Sequence, residues 1–303
     1  DLSIANSLWA QNDFKFLQPF LDGLSNNFNA PPELLDFRKA AESARLQINQ
    51  WVADKTDQKI KNLIAPGALD RESIMVLVNA VYFKADWLSA FKAEDTKELP
   101  FHLNSNVSAP VSMMQQQNHF RIFADNQEQV LELPYKGDQL SMVVVLPRKG
   151  QDLSALEQKL NMNVLDGWLL NMSEQIVNVK IPKFKFSFGT VELKPFLVDM
   201  GMGDAFNRGV ADFSGMSKLA PGEHIYIQKV LHKAFVNVDE KGTEAAAATA
   251  VIVGAHPCCM VIPIIPKIIH LFNADHPFLF IVRDKKTNSI LFIGKVADPR
   301  SES

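Results

Sequence analysis

Few groups in this chain combine reactivity with a spacing suited to chemistry. Seven histidines are scattered over 303 residues. None stands in a His-Glu-x-x-His pattern, which would set two imidazoles on one helical face around zinc. His102 and His119 accordingly read as surface or strand residues. No Gly-x-Ser-x-Gly turn presents a serine nucleophile. Gly201-Met202-Gly203 begins like a dinucleotide-binding loop, but Phe206 fills the third glycine's place and the stretch follows a helical pattern. A Gly-Lys-Ser/Thr phosphate cradle is also missing. On these grounds the chain reads as not an enzyme, with no catalytic residue, no metal and no cofactor.

Cys258 and Cys259 are neighbours, so they cannot staple distant segments, and two thiols alone fit no structural zinc pattern. The pair reads either as small apolar residues or as a redox handle. Asn106-Val107-Ser108 and Asn171-Met172-Ser173 are N-glycosylation acceptor patterns. They favour an extracellular, secreted protein, with the cytoplasm as the runner-up compartment.

A formal net charge of -3, with no basic run interleaved with aromatics, excludes a general nucleic-acid binder. The longest apolar stretch, 245–272, is broken by Pro257, Pro263 and Pro266 and carries His256, Lys267 and His270. It cannot run as a membrane-spanning helix, so no membrane partner is expected.

The elements that must position any site show an ordinary globular balance, 47% apolar and 21% charged. Phe16, Leu17, Phe20, Leu21 and Leu24 form one apolar helical face. Ala41, Ala44, Ile48, Trp51 and Val52 form a second, after Pro31-Pro32. Asp152 can cap a third helix that buries Leu153, Leu156 and Leu160. Residues 75–83 and 140–146 are apolar on both faces, as in a strand covered on both sides. Residues 176–188 alternate, and 278–282 with 290–293 flank the polar Lys285-Lys286-Thr287-Asn288, a hairpin pattern. No repeat and no Pro/Gly/Ser linker divides the chain, so it reads as a single α+β domain over 1–303.

The run from Asp239 to Ala250, with four successive alanines at Ala245, Ala246, Ala247 and Ala248, supports two readings. Alanine has the best helix propensity. As a strand, the run would instead put Thr243, Ala245, Ala247, Thr249, Val251 and Val253 on one face, all small enough to bury.

Several segments, in order, resemble the serpins. They are Ala5-Asn6-Ser7-Leu8-Trp9, Leu77-Val78-Asn79-Ala80-Val81-Tyr82-Phe83-Lys84-Ala85-Asp86-Trp87 and Leu131-Glu132-Leu133-Pro134-Tyr135-Lys136-Gly137. The alanine-rich run, Phe272-Asn273-Ala274-Asp275-His276-Pro277-Phe278-Leu279-Phe280 and Ile290-Leu291-Phe292-Ile293-Gly294-Lys295-Val296 complete the set. The resemblance implies three β-sheets with surrounding helices and an exposed reactive-centre loop, here 240–271 with its hinge. It implies a suicide substrate: a serine protease, or for some members a cysteine protease, cleaves the loop and is trapped as a covalent acyl complex while the loop inserts into the large sheet. A non-inhibitory carrier or chaperone with the same fold is the alternative.

Residue by residue, the resemblance makes Glu240, Lys241, Gly242, Thr243, Glu244 and the four alanines the hinge. It pairs Asn79 with His232 beneath the opening sheet, and gathers Trp87, Lys183 and Glu240 where the loop enters it. Counting along the loop puts the scissile bond at His256–Pro257, with Cys258, Cys259 and Met260 as the chemical alternative because proline after the cut resists most serine proteases. The resemblance begins at a sheet strand, so it implies that the family's first helices are absent from this chain, an incomplete copy of a longer protein expected to be a monomer when full length.

Overall fold

The alternation read along the chain produces sixteen strands and five α-helices among the residues described by the computed structural model, 2–28, 31–187, 190–218, 225–243 and 268–300. In chain order β1 (Leu2–Gln11), β2 (Glu33–Leu35), β3 (Met75–Phe83) and β4 (Ala85–Asp86) come first. There follow β5 (Lys97–His102), β6 (Ser108–Ala124), β7 (Glu128–Pro134), β8 (Leu140–Pro147), β9 (Ser173–Pro182) and β10 (Phe184–Ser187). The last are β11 (Val191–Glu192), β12 (Lys229–Val238), β13 (Gly242–Thr243), β14 (Ile269–Asn273), β15 (Phe278–Asp284) and β16 (Ile290–Val296). The helices are α1 (Gln18–Phe28), α2 (Phe37–Lys55), α3 (Leu153–Lys159), α4 (Met162–Asn171) and α5 (Lys194–Leu197). No helix among the described residues is long and apolar enough to cross a membrane.

The chain divides into two compact units, one of residues 1–83 and 186–236, the other of 84–185 and 237–302. In the first unit the strand order is β2-β1-β3-β12. β1 is antiparallel to β3, whereas β3 and β12 are direct parallel neighbours from Val76↔Lys229 to Tyr82↔Phe235. The expected stripe of α2 covers this sheet: Ala44, Ile48 and Val52 are buried with Val76, Val78, Ala80, Leu231 and Phe235. Asp36 caps α2 by accepting from the Lys39 N–H, and Thr56 closes it by donating to the Val52 carbonyl at 2.7 Å. The loop from α2 to β3 is tied to β12, whose Lys229 and Lys233 amines donate to the Ala68 and Lys61 carbonyls at 2.7 and 3.1 Å.

In the second unit eight strands form one network, β14-β9-β6-β7-β8-β15-β16, with β5 also on β6. β6 is 17 residues long, enough to pair β5 and β9 along most of its length and β7 at its end. That sharing by one strand is why three separate sheets are not traced among the described residues. Val130, Val143, Val145, Leu279 and Ile281 pack against Leu156, Leu165, Trp168 and Leu169 of α3 and α4. The cap expected at Asp152 is present, accepting from the Ser154 N–H at 3.0 Å.

Candidate functional site

A tight turn in the second unit follows β12. Asp239 shapes it: its carboxylate accepts from the Lys241 N–H at 2.9 Å, and its own N–H donates to the Gly242 carbonyl at 2.9 Å. Asn and Asp side chains stabilise turns in this way because they reach backbone donors two residues on. The chain then re-enters as β13, with Thr243 opposite Val238 and Gly242 opposite Asp86, antiparallel on both sides. Gly242 is required by space. A β-carbon there would lie 2.0 Å from the Ala85 carbonyl oxygen and 2.6 Å from the Asp86 Cα.

Trp87, Lys183 and Glu240 come together around this turn. Trp87 donates its backbone N–H to Lys241 and its indole N–H to Asp239, at 2.8 and 3.0 Å. Glu240 pairs with the Lys183 amine at 2.9 Å and accepts from the Thr96 hydroxyl at 2.9 Å, while the Phe91 N–H donates to its carbonyl. Burial, the strongest single influence, pushes the Glu240 carboxyl up. The hydrogen bonds from Lys183, its own backbone and Thr96, together with the Lys183 charge, outweigh it and hold the carboxyl below its ordinary value.

Thr243 is fully buried, and its hydroxyl meets that of Tyr135 at 2.8 Å. Tyr135 is itself stacked on Trp87, ring centroids 4.6 Å apart and planes 8° from parallel. Burial pushes its phenol far above the ordinary value, so it stays a neutral hydroxyl.

A second polar group lies in the first unit, on one rung of three strands. Register puts Asn6, Asn79 and His232 side by side on β1, β3 and β12. Asn79 Oδ1 lies 2.5 Å from His232 Nδ1, and Asn79 Nδ2 donates to Asn6 Oδ1 at 2.6 Å. Burial pushes the His232 imidazole below its ordinary value, opposed in part by the Asn79 contact. The imidazole is therefore held neutral, with one ring nitrogen committed to Asn79.

The remaining expectations divide. Glu244, Ala245, Ala246, Ala247 and Ala248 of the hinge lie outside the described residues, as do His256, Pro257, Cys258, Cys259 and Met260. Asn106 and Asn171 are both exposed, the first between β5 and β6, the second at the end of α4 with its Nδ2 donating to the Gly167 carbonyl at 2.7 Å. Tyr135, Thr96 and Asn6 have no role assigned from the sequence, and Asp239 is read there only as the start of the alanine-rich run. Tyr135 and Asn6 sat inside the matched segments, but a polar residue in an apolar strand carries no sign of its partner. Among the described residues no group of three His, Cys, Asp or Glu side chains could hold a metal ion.

A family model described as serpin (serine protease inhibitor) matches residues 1–299. The chain is a serpin. Human Serpin B4 is 44% identical over 303 residues, covering 99% of this chain and 75% of that protein. The leukocyte elastase inhibitor of Xenopus tropicalis is 42% identical, covering 98% and 77%. Among solved structures, uncleaved ovalbumin superposes with a TM-score of 0.85 at 32% identity, over 99% of this serpin and 74% of that chain. Thyroxine-binding globulin in complex with thyroxine gives 0.85 at 28% identity, over 99% and 76%.

One expectation is corrected by these relatives. Missing motifs classed the chain as not an enzyme, a description by absence alone. Relatives of this serpin are named as inhibitors of a protease, and that positive class replaces it. Nor do the relatives' names support the secreted placement drawn from the two acceptor tripeptides.

Proposed function

We propose that this serpin inhibits a serine protease as a suicide substrate. The protease serine attacks the carbonyl carbon of a peptide bond in the loop, the C–N bond breaks, and the new amine leaves. The loop, still held as an ester, then enters the sheet between β3 and β12. Supporting this reading is the state of the hinge: β13 is antiparallel to β12, and it opens with a glycine that fits and a small threonine that is buried. A dozen new backbone hydrogen bonds at about 1 kcal/mol net each supply a driving force on the order of 10 kcal/mol. Relatives named leukocyte elastase inhibitor point to an elastase-like target.

The roles of Asn79 and His232 beneath the insertion seam, and of Trp87, Lys183 and Glu240 at its entry, belong to this proposal. So does the cut at His256–Pro257 or, as the chemical alternative, at Cys258 to Met260. Incubation with elastase-, chymotrypsin- and trypsin-like proteases tests it. An SDS-stable complex with a peptide released at one of these bonds is expected; clean cleavage with no complex by any of them sinks it. A carrier role is the second reading, favoured by the likeness to thyroxine-binding globulin with its thyroxine. It predicts cleavage without trapping and saturable binding of a small apolar ligand.

A further inference from the structure

We propose that the second unit carries a binding cleft for a neutral sugar ring, built on the run Gln115-Gln116-Gln117-Asn118 that interrupts the apolar pattern of β6. The cleft has a volume of about 200 Å³, the room of roughly six or seven waters. Asp95, Lys97, Gln115, Gln116, Gln117 and Asn178 line it. Among the described residues no apolar or aromatic side chain does so, and a hydrophobic ligand would gain nothing there. The one lining carboxylate and the one lining ammonium offset each other, so net charge selects neither an anion nor a cation. What remains is a dense set of amide donors and acceptors. That set suits a polyol, whose hydroxyls each donate and accept.

Strand register sets out these groups. Gln117 on β6 stands directly opposite Asn178 on β9, so the two amides rise from one face of the sheet with their Cβ atoms about 5 Å apart. Neither side chain hydrogen-bonds another described residue. Gln115 and Gln116 are each fixed by one donated bond, to the carbonyls of Asp95 at 3.2 Å and Ser89 at 3.0 Å, which leaves both Oε1 atoms as acceptors. The first of these bonds also ties β6 to the segment that carries Asp95 and Lys97. A planar amide offers a donor and an acceptor side by side, and adjacent hydroxyls of a sugar ring match that pair. A peptide would instead bring apolar side chains for which the lining holds no partner.

Thr96 lies between the two charged lining residues and donates its hydroxyl to Glu240 at 2.9 Å. A ligand that shifts this segment therefore reaches the turn, and the turn must affect the ligand equally. Sugar binding is measured without a protease, so its failure and a failure of trapping are separate results.

Saturation-transfer NMR of the full chain tests the site, with methyl glucoside, methyl mannoside and methyl galactoside as separate probes. One of them should bind with a dissociation constant of about 1 mM, the range set by a few hydrogen bonds made in exchange for water. Gln117→Ala and Asn178→Ala should each weaken that binding about fivefold. A glycopeptide ending in the bound sugar separates the sources: binding about tenfold tighter than the glycoside assigns a glycan chain, and equal binding a free saccharide. Three results overturn the proposal: no binding by any glycoside, equal binding by wild type and both variants, or tighter binding of glucuronate or glucosamine than of methyl glucoside. If Asn178→Ala fails to fold, Gln117→Ala, at an exposed position, decides it.

Discussion

The hydroxyls of Tyr135 and Thr243 meet at 2.8 Å with both residues buried, so Thr243, proposed as the first inward residue of the hinge, is anchored on a ring that itself stacks on Trp87. A substitution at Thr243 therefore reads out the hinge directly. Thr243→Val keeps the shape and removes the bond, and should cost about 1 kcal/mol in urea unfolding. Thr243→Arg forces a charge into the same space, at a cost of about 3 kcal/mol or more if the strand stays in place. β13 should leave the sheet instead, and the yield of SDS-stable protease complex should collapse in favour of cleaved substrate. An unchanged yield would remove Thr243 from the hinge.

Gly242→Ala is the steric counterpart. The Ala85 carbonyl lies where the new methyl would sit, so β13 cannot keep its place beside β4. Hydrogen exchange at the Trp87 amide, which donates to Lys241, should rise at least tenfold in this variant. Wild-type protection would show that the turn tolerates a β-carbon.

The Glu240–Lys183 pair should show itself in acid. Glu240 ionises more readily in the folded chain than in the unfolded one, so its stabilisation is complete above the ordinary glutamate value of about 4.3. It is lost as pH falls through the lower folded value. Lys183→Ala should reduce stability at pH 7 by about 1 kcal/mol or less, because the lysine is half in water. The variant should also lose part of the wild-type fall in stability below about pH 4.3. Identical acid profiles would assign the shift to Thr96 and the backbone alone.

His232 acts in a different window and with its own sign. Its folded imidazole holds a proton less tightly than the unfolded one, so the unfolded chain takes up protons first as pH drops. Stability is full above the ordinary histidine value of about 6.5 and declines from there down through the lower folded value. His232→Gln should flatten the stability profile below about pH 6.5. Proton NMR of the imidazole gives the folded value independently, and one at or above 6.5 would contradict the prediction.

How much of this could be read beforehand depended on the kind of signal. Stripes such as Ala44, Ile48 and Val52, or the doubly apolar β3 and β8, follow directly from side-chain period and burial. Family likeness then supplied Asn79 with His232 and Lys183 with Glu240, pairs 153 and 57 residues apart that no local pattern links. Tyr135 and Asn6 were invisible for the same reason. Each is an ordinary strand residue until the register of a neighbouring strand brings up its partner. The long β6 was missed as a single element because Gln115, Gln116, Gln117 and Asn118 break its apolar pattern, although the backbone pairs through them without interruption.

The rung of Asn6, Asn79 and His232 has a consequence for following this molecule in time. Neighbouring strands lie about 4.8 Å apart, so one strand interposed between β3 and β12 would roughly double their separation. Asn79 and His232 could no longer touch, and the imidazole would exchange an amide for whatever the newcomer presents. Its titration and chemical shift would then change in step with occupancy of the gap. A single side chain, native to the protein and needing no label, would serve as the gauge of whether the sheet is shut or filled.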